Sequence, residues 1–362
     1  MPCFSSIGFC FLIECFGKKM KKDLLVTLAD GNYIKQAKQL FSSVYWNAGW
    51  QGDYMLLAYD IPEKELRWFQ DKGILVRECE PILTESEIRI GHAPLTTLSK
   101  FYLFTPEFKK WKNIVFLDGD IVVRGSLDTL VQTKGFSAVR ILNMLRTSLK
   151  GQFNNRDRKN NHLFKELESK HDLSQPAFNS GVMAFNTDII SESDFQNLKT
   201  LFFYYQKILY ISEETVLNIY FYDKWQELPQ VYNVCPSYEI YHSECSPENL
   251  KGIVLHTYSN FPGGKPWSPA SPLNLEWKAN LDKADLIDIA KPQLPQKILS
   301  KQEEAQYDFY LKKLHKNNLY KVYRYKIHFF YRYNKLRFFL GVFLKNNYPQ
   351  IYKLQRKLRN LS

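Results

Sequence analysis

Between residues 24 and 123, apolar runs of strand length alternate with segments whose apolar residues recur at helical spacing. Nothing else in the chain restricts its fold as much. "LLVTL" (24–28) reads as a buried strand, Asp30–Gly31–Asn32 as a turn, and Ile34, Ala37, Leu40, Phe41 and Val44 as one helix face. "DYMLLAYDIP" reads as a second strand stopped by Pro62, "EKELRWFQDKG" as a helix stopped by Gly73, and "ILVREC" as a third strand. "LTTLSKFYLFTPEFKKW" predicts a helix up to Pro106, and "NIVFLDGDIVV" (113–123) a strand buried on both faces. This order predicts an α/β fold: a mainly parallel, Rossmann-like sheet flanked by helices. Ligands of such sheets bind beyond the carboxyl ends of the strands.

At that end of the last strand stand Asp118 and Asp120, separated only by Gly119. Two close carboxylates repel, and burying them unpaired is costly. A cation bridging them removes both problems, and Gly119 lets another group approach the backbone. The alternative is a strand end where two acids face water.

Six segments occur in a fixed order over roughly residues 23–270: "LVTLADGNY", "TTLSKFYLF", "FLDGD", "FNSGV", "EETVLN" and "LHTYSNFPGGKPW". In these the chain resembles glycosyltransferase family 8, which includes glycogenin and bacterial lipopolysaccharide glucosyl- and galactosyltransferases. The resemblance implies a GT-A-type nucleotide-sugar-binding fold. It also implies a retaining transfer of glucose or galactose from UDP-glucose or UDP-galactose to a glycan acceptor, such as a lipopolysaccharide precursor.

By the same resemblance Asp118, Asp120 and His256 hold Mn²⁺ or Mg²⁺. Thr27, Leu28 and Ala29, read as following the first strand, hold the nucleotide base. Tyr33 stacks on uracil or else packs at a helix start. Lys100 faces the donor phosphate or sugar, the alternative being a helix-surface lysine. Gly264 and Lys265 meet the phosphates, by backbone N–H groups and by charge; a solvated surface loop is the alternative. The His-to-Lys spacing is nine, against a usual six in the family, so the intervening loop is expected to bulge.

Asn179, Glu213 and Glu214 are expected beside the sugar. The family's usual Asp-Gln-x-x-Leu-Asn reads Glu-Glu here, so a nucleophile at Glu214 is chemically conceivable. Front-face substitution is the favoured route. The bland reading is two exposed glutamates at a helix start, favoured by the helix dipole.

The net charge of +12 is unevenly placed. Residues 311–362 hold nine Lys and five Arg with no acid, whereas the first 310 hold 35 basic and 37 acidic groups. The tail's basic residues (Lys321, Arg324, His328, Arg332, Lys335) and apolar ones (Val322, Tyr325, Phe329, Tyr333, Leu336) form neighbouring helical stripes. That pattern suits an anionic membrane surface better than nucleic acid, and no nucleic-acid partner is expected. Residues 1–22 read as an N-terminal extension whose apolar run is too short to span a bilayer, 23–285 as the transferase domain, 286–310 as a linker, and 311–362 as the tail. Residues 145–175 are polar and read as a mobile excursion or lid.

The six cysteines include no CxxC and favour a reducing compartment. The expected location is cytoplasmic, peripherally attached to a membrane. "FLDGDIV" also fits the signature of haloacid-dehalogenase-type phosphatases, but no later acidic metal motif follows it.

Overall fold

The computed structural model describes residues 22–83, 94–142, 146–154, 161–235, 254–256 and 264–316, and the single positions 347, 348 and 350. The apolar runs become β1 (Leu24–Asp30), β2 (Asp53–Tyr59), β3 (Leu75–Glu78) and β4 (Asn113–Leu117). They are followed by β5 (Ile121–Val123), β6 (Phe136–Arg140), β7 (Phe178–Asn186), β8 (Trp225–Leu228) and β9 (Val254–His256). Seven of these strands form one sheet in the order β3-β2-β1-β4-β7-β6-β8, and β5 pairs with β9 in a separate ribbon. Only β7 runs against its neighbours, β4 and β6; the sheet is otherwise parallel, as expected.

Alternate residues of the central strands feed two cores. Leu25, Leu56, Val115 and Leu117 face α1 (Ile34–Ser43) and α2 (Glu63–Asp71). Leu24, Val26, Ile114 and Phe116 face the segment Leu95–Phe104, α3 (Asn161–Lys170), α4 (Asp194–Tyr205) and α5 (Ser212–Tyr220). Leu95–Phe104 is a 3₁₀ helix, followed by a second 3₁₀ turn at Pro106–Lys110.

Opposite β7, the pairing with β6 jumps: Val139 meets Asn179, yet Ala138 meets Met183. Residues 180–182 therefore bulge away from β6. On the other side, β7 keeps register with β4 up to Leu117 opposite Val182. Bulges of this kind re-aim side chains near functional sites.

Two expectations fail. Residues 286–310 are no linker. Tyr45 donates its hydroxyl to Lys291 O at 2.7 Å. Gln296 N–H donates to Asn47 O, and Ser126 N–H to Lys297 O, each at 2.9 Å. Before these contacts in sequence lies α6 (Asn274–Asp282), and after them a further helix, α7 (Lys301–Lys316), cuts across the expected boundary at 311. Leu311 is 2 % exposed within the first core, beside Tyr307, Tyr310 and Leu314. Glu304 accepts the hydroxyls of Thr129 and Tyr232, each at 2.6 Å. The apolar face of α7 covers the core, which is why the segment stays on the domain.

The expected lid also contributes to the second core, where Leu149, Leu163, Leu167 and Leu173 are buried. Of these, Leu163 and Leu167 stand four apart on α3, a helical signal that overall polarity hides. The N-terminal apolar run and the tail's stripes lie outside the described residues. No helix among the described residues is long and apolar enough to cross a membrane.

Candidate active site

The site is assembled at the carboxyl end of β4. Thr27, wholly buried in β1, donates its hydroxyl to Leu117 O at 2.7 Å, and Asp118 N–H donates to Gly181 O at 2.9 Å. Main chain and a neighbouring strand thus fix the residue before and the residue bearing the first carboxylate. Next, β5 pairs with β9 so that Ile121 stands opposite His256, which brings the imidazole alongside Asp120. His256 Nε2 lies 3.1 Å from Asp120 Oδ1 and 4.0 Å from Asp118 Oδ2. One ligand atom from each of Asp118, Asp120 and His256 falls within 4.8 Å of the others, a spacing one cation can bridge.

Two lysines approach the same carboxylates. Lys100, 1 % exposed, puts Nζ 2.9 Å from Asp118 Oδ1, 3.3 Å from Glu213 Oε1 and 3.2 Å from Ser180 Oγ. Lys265 pairs with Asp120. Burial works against the Lys100 charge, but Asp118 and Glu213 outweigh it and raise its pKa above the ordinary lysine value. Burial pushes Asp118 up against the pull of Lys100. Asp120 is held below the usual carboxylate range: burial opposes this, but His256 and Lys265 prevail. The environments of the two aspartates push their pKa values apart.

Beyond Asp118 lies a second acidic pair at the start of α5. Glu213 and Glu214 are 3 % and 2 % exposed, so the solvated-helix-start reading is wrong. Glu213 accepts the Thr97 hydroxyl at 2.7 Å. Glu214 accepts from Asn179 Nδ2 at 2.7 Å, from Ser180 N–H at 3.2 Å and from Arg146 Nη1 at 3.3 Å. Burial raises its pKa, with Arg146 pulling the other way. Asn218, one turn on, donates to Glu214 O and exchanges bonds with the Phe178 backbone, each at 2.9 Å, which docks α5 on the start of β7.

The nucleotide side departs from expectation in the placement of one segment. Thr27, Leu28 and Ala29 lie within β1, not after it, and their side chains are buried in the domain. The Thr27 hydroxyl is taken up by Leu117 O. A Cβ at Gly119 would sit 3.5 Å from Tyr33 Cδ1, an ordinary contact, so packing does not demand a glycine there. Lys100 is an interior residue and not a helix-surface one. Tyr33 is half-buried, edge-on to Trp267 with centroids 5.7 Å apart, and burial with Asp120 nearby raises its pKa to about 12. Gly264 takes φ +75°, as glycine does readily. The expected bulge between His256 and Lys265 falls mostly outside the described residues.

Sequence reasoning missed Arg146, placed in a supposed lid, and Asn233, which no motif marks. Thr97 and Asn218 sit inside the quoted segments "TTLSKFYLF" and "EETVLN", but were not singled out.

A profile of the family described as "Glycosyl transferase family 8" matches residues 24–270. Over 300 residues the chain is 25 % identical to glycosyltransferase GlyB of Streptococcus pneumoniae, covering 74 % of this chain and 66 % of GlyB. It is 24 % identical to galactinol synthase 5 of Arabidopsis thaliana, covering 58 % of this chain and 62 % of that protein. The chain thus spans just under two thirds of these curated relatives. Among solved structures it resembles galactosyltransferase LgtC bound to donor and acceptor sugar analogs. The TM-score is 0.52 at 17 % identity, over 72 % of this chain and 95 % of LgtC. Glycosyltransferase GlyE of Streptococcus pneumoniae superposes with a TM-score of 0.50 at 19 % identity, over 77 % of this chain and 68 % of GlyE. The shared fold is the GT-A type.

Proposed function

The chain belongs to glycosyl transferase family 8, and from that premise we propose that it moves glucose or galactose from a UDP-sugar to a glycan acceptor. Transfer retains the anomeric configuration. The observation that carries this reading is the convergence of Asp118, Asp120 and His256 beyond β4. Two carboxylates and an imidazole suit Mn²⁺ and accommodate Mg²⁺. When bound, the ion supplies Lewis-acid stabilisation to the departing diphosphate.

The chain's own residues do the rest. Lys265, already beside Asp120, offers its ammonium to the leaving phosphate. Lys100 orders Asp118 and Glu213. Tyr33 and Trp267 wall the place where the base rests, next to Gly119. Glu213, Glu214 and Asn179 bound the sugar. Three donors already hold the Glu214 carboxylate, which lowers its nucleophilicity. That supports front-face substitution, in which the leaving phosphate oxygen takes the acceptor's proton.

LgtC is a galactosyltransferase, which supports keeping galactose among the donors. The acceptor is a lipopolysaccharide or other cell-surface glycan precursor, met at the cytoplasmic face of a membrane. The basic, aromatic sequence of the tail supports this part of the reading. The test is release of nucleoside diphosphate from a panel of nucleotide-sugars with Mn²⁺. UDP release from UDP-glucose or UDP-galactose, abolished by chelator, is expected. Turnover indifferent to chelator, or confined to donors other than UDP-sugars, overturns the reading.

A further inference from the structure

We propose that Asn233 is the positioning residue that fixes both the tautomer and the ring orientation of His256 for metal binding. The inference rests on the divalent-ion reading above. Asn233 follows a 3₁₀ turn at Gln230–Tyr232 and is 5 % exposed. Its place relative to His256 is set by main chain: Val234 N–H donates to Val254 O and His256 N–H donates to Val234 O, each at 2.9 Å.

The direction of each bond follows from one unambiguous donor. Gly181 N–H points at Asn179 Oδ1, 3.0 Å away, so that atom is an oxygen. Asn233 reaches the same oxygen at 2.8 Å and must present its NH₂ there. Its own Oδ1 then faces His256 Nδ1 at 3.0 Å. An acceptor facing a ring nitrogen requires an N–H on that nitrogen. Nδ1 therefore carries a proton, while Nε2 faces the acceptor Asp120 Oδ1 at 3.1 Å, the place where a bound cation would stand in for an N–H and receive the Nε2 lone pair. The other end of Asn179 donates to Glu214 Oε2, so one bonded chain joins the metal histidine to the acidic pair of α5.

The ring plane is fixed as well. A Cβ on Gly181 would lie 2.3 Å from His256 Cε1 and 2.8 Å from its Nδ1. The bulged backbone of β7 thus lies against the imidazole, leaving no room for a side chain. Flipping the ring would break the Asn233 bond and turn a carbon towards the carboxylates.

The test compares full-length wild type with Asn233→Leu and Asn233→Asp, without donor. Asn233→Leu removes the acceptor, and Mn²⁺ affinity, followed by the free-ion electron-spin signal, should weaken about 10- to 100-fold. Asn233→Asp keeps an acceptor for Nδ1–H but loses the donor to Asn179 Oδ1, so its Mn²⁺ affinity should fall less than that of Asn233→Leu. In Mg²⁺-loaded wild type, ¹⁵N shifts of the histidine ring should report Nδ1–H for His256. A wild-type ring protonated at Nε2 overturns the assignment, as does folded Asn233→Leu that binds Mn²⁺ like wild type. If Asn233→Leu fails to fold, the wild-type spectrum and Asn233→Asp decide. Should wild type bind no divalent ion, the functional reading itself fails. The state of Nδ1 in the metal-free chain then decides: an Nδ1–H upholds the role of Asn233, and a bare Nδ1 overturns it.

Discussion

Lys100 Nζ lies 2.9 Å from Asp118 Oδ1, so the first carboxylate of the metal group has an interior ammonium at its side. The same ammonium reaches Glu213 on α5, which makes Lys100 the joint between the two acidic pairs. Lys100→Met keeps an apolar stem of similar length and leaves both acids without it. Stability in chelator, from urea unfolding, should fall by roughly 3–5 kcal/mol. Added Mn²⁺ should then raise the unfolding midpoint of the variant more than that of wild type, because an ion replaces the missing charge. Equal shifts would mean that the ion does not touch Asp118.

Asp120→Asn removes the carboxylate that faces both His256 and Lys265. Turnover with Mn²⁺ should drop by about 10²-fold or more, since the lost charge serves the departing diphosphate. The near-ultraviolet circular dichroism should stay that of the folded chain. Activity that survives both this change and excess chelator would sink the metal assignment.

For Glu214 the sign of the pH effect can be worked out. Burial raises its pKa above the ordinary 4.5, against the pull of Arg146. Between the unfolded and folded values the native state holds the extra proton. Its contribution to stability is complete below 4.5 and is lost as pH rises through the folded value. Glu214→Gln should therefore be at least as stable as wild type at neutral pH, with wild type gaining on it as the pH falls. The amide still accepts from Asn179 and Ser180, so appreciable transfer activity should remain. A dead but folded variant, with a glycosyl adduct trapped on wild-type Glu214, would establish the covalent route.

Truncation should discriminate between two ends of the domain. Ending the chain after Lys316 keeps α7 and should leave donor hydrolysis in solution unchanged, while binding to anionic vesicles drops sharply. Ending it after Tyr310 also removes Leu311 from the core and Lys312 from Glu227, 2.6 Å away. That cut should cost about 2–3 kcal/mol more in urea unfolding, mostly from Leu311. Vesicle binding unchanged after the first truncation would place any membrane role outside the tail.

Strands β1, β2 and β4 were legible because each is buried on both faces and reads as a continuous apolar run. The direction of β7 was not, since "FNSGVMAFN" carries no mark of running against β4. Asp118, Asp120 and His256 could be grouped in advance through the resemblance of their segments to the family, and the ribbon of β5 and β9 brings them together. Arg146 and Asn233 could not. Each acts through side-chain bonds to residues far away in sequence, and a lone polar residue looks the same in sequence whether it is bonded or solvated. The stretch at 286–310 was misread because its first half is tied down by main-chain hydrogen bonds, to which composition is blind, and because the apolar face of α7 straddles the boundary drawn at 311.

The register jump between β6 and β7 divides the molecule into parts with different tolerance to change. On one side, the pairing of Leu117 with Val182 measures Asp118 out against Gly181, and an inserted residue there would turn every later side chain to the wrong face. On the other, the whole stretch from the end of β6 to the start of β7 leaves and returns at the same end of the sheet, past the bulge. Its length can change without altering that measurement. Between its anchoring leucines, the arm that carries Arg146 is thus a place where chain length can vary while the carboxylates of β4 keep their places.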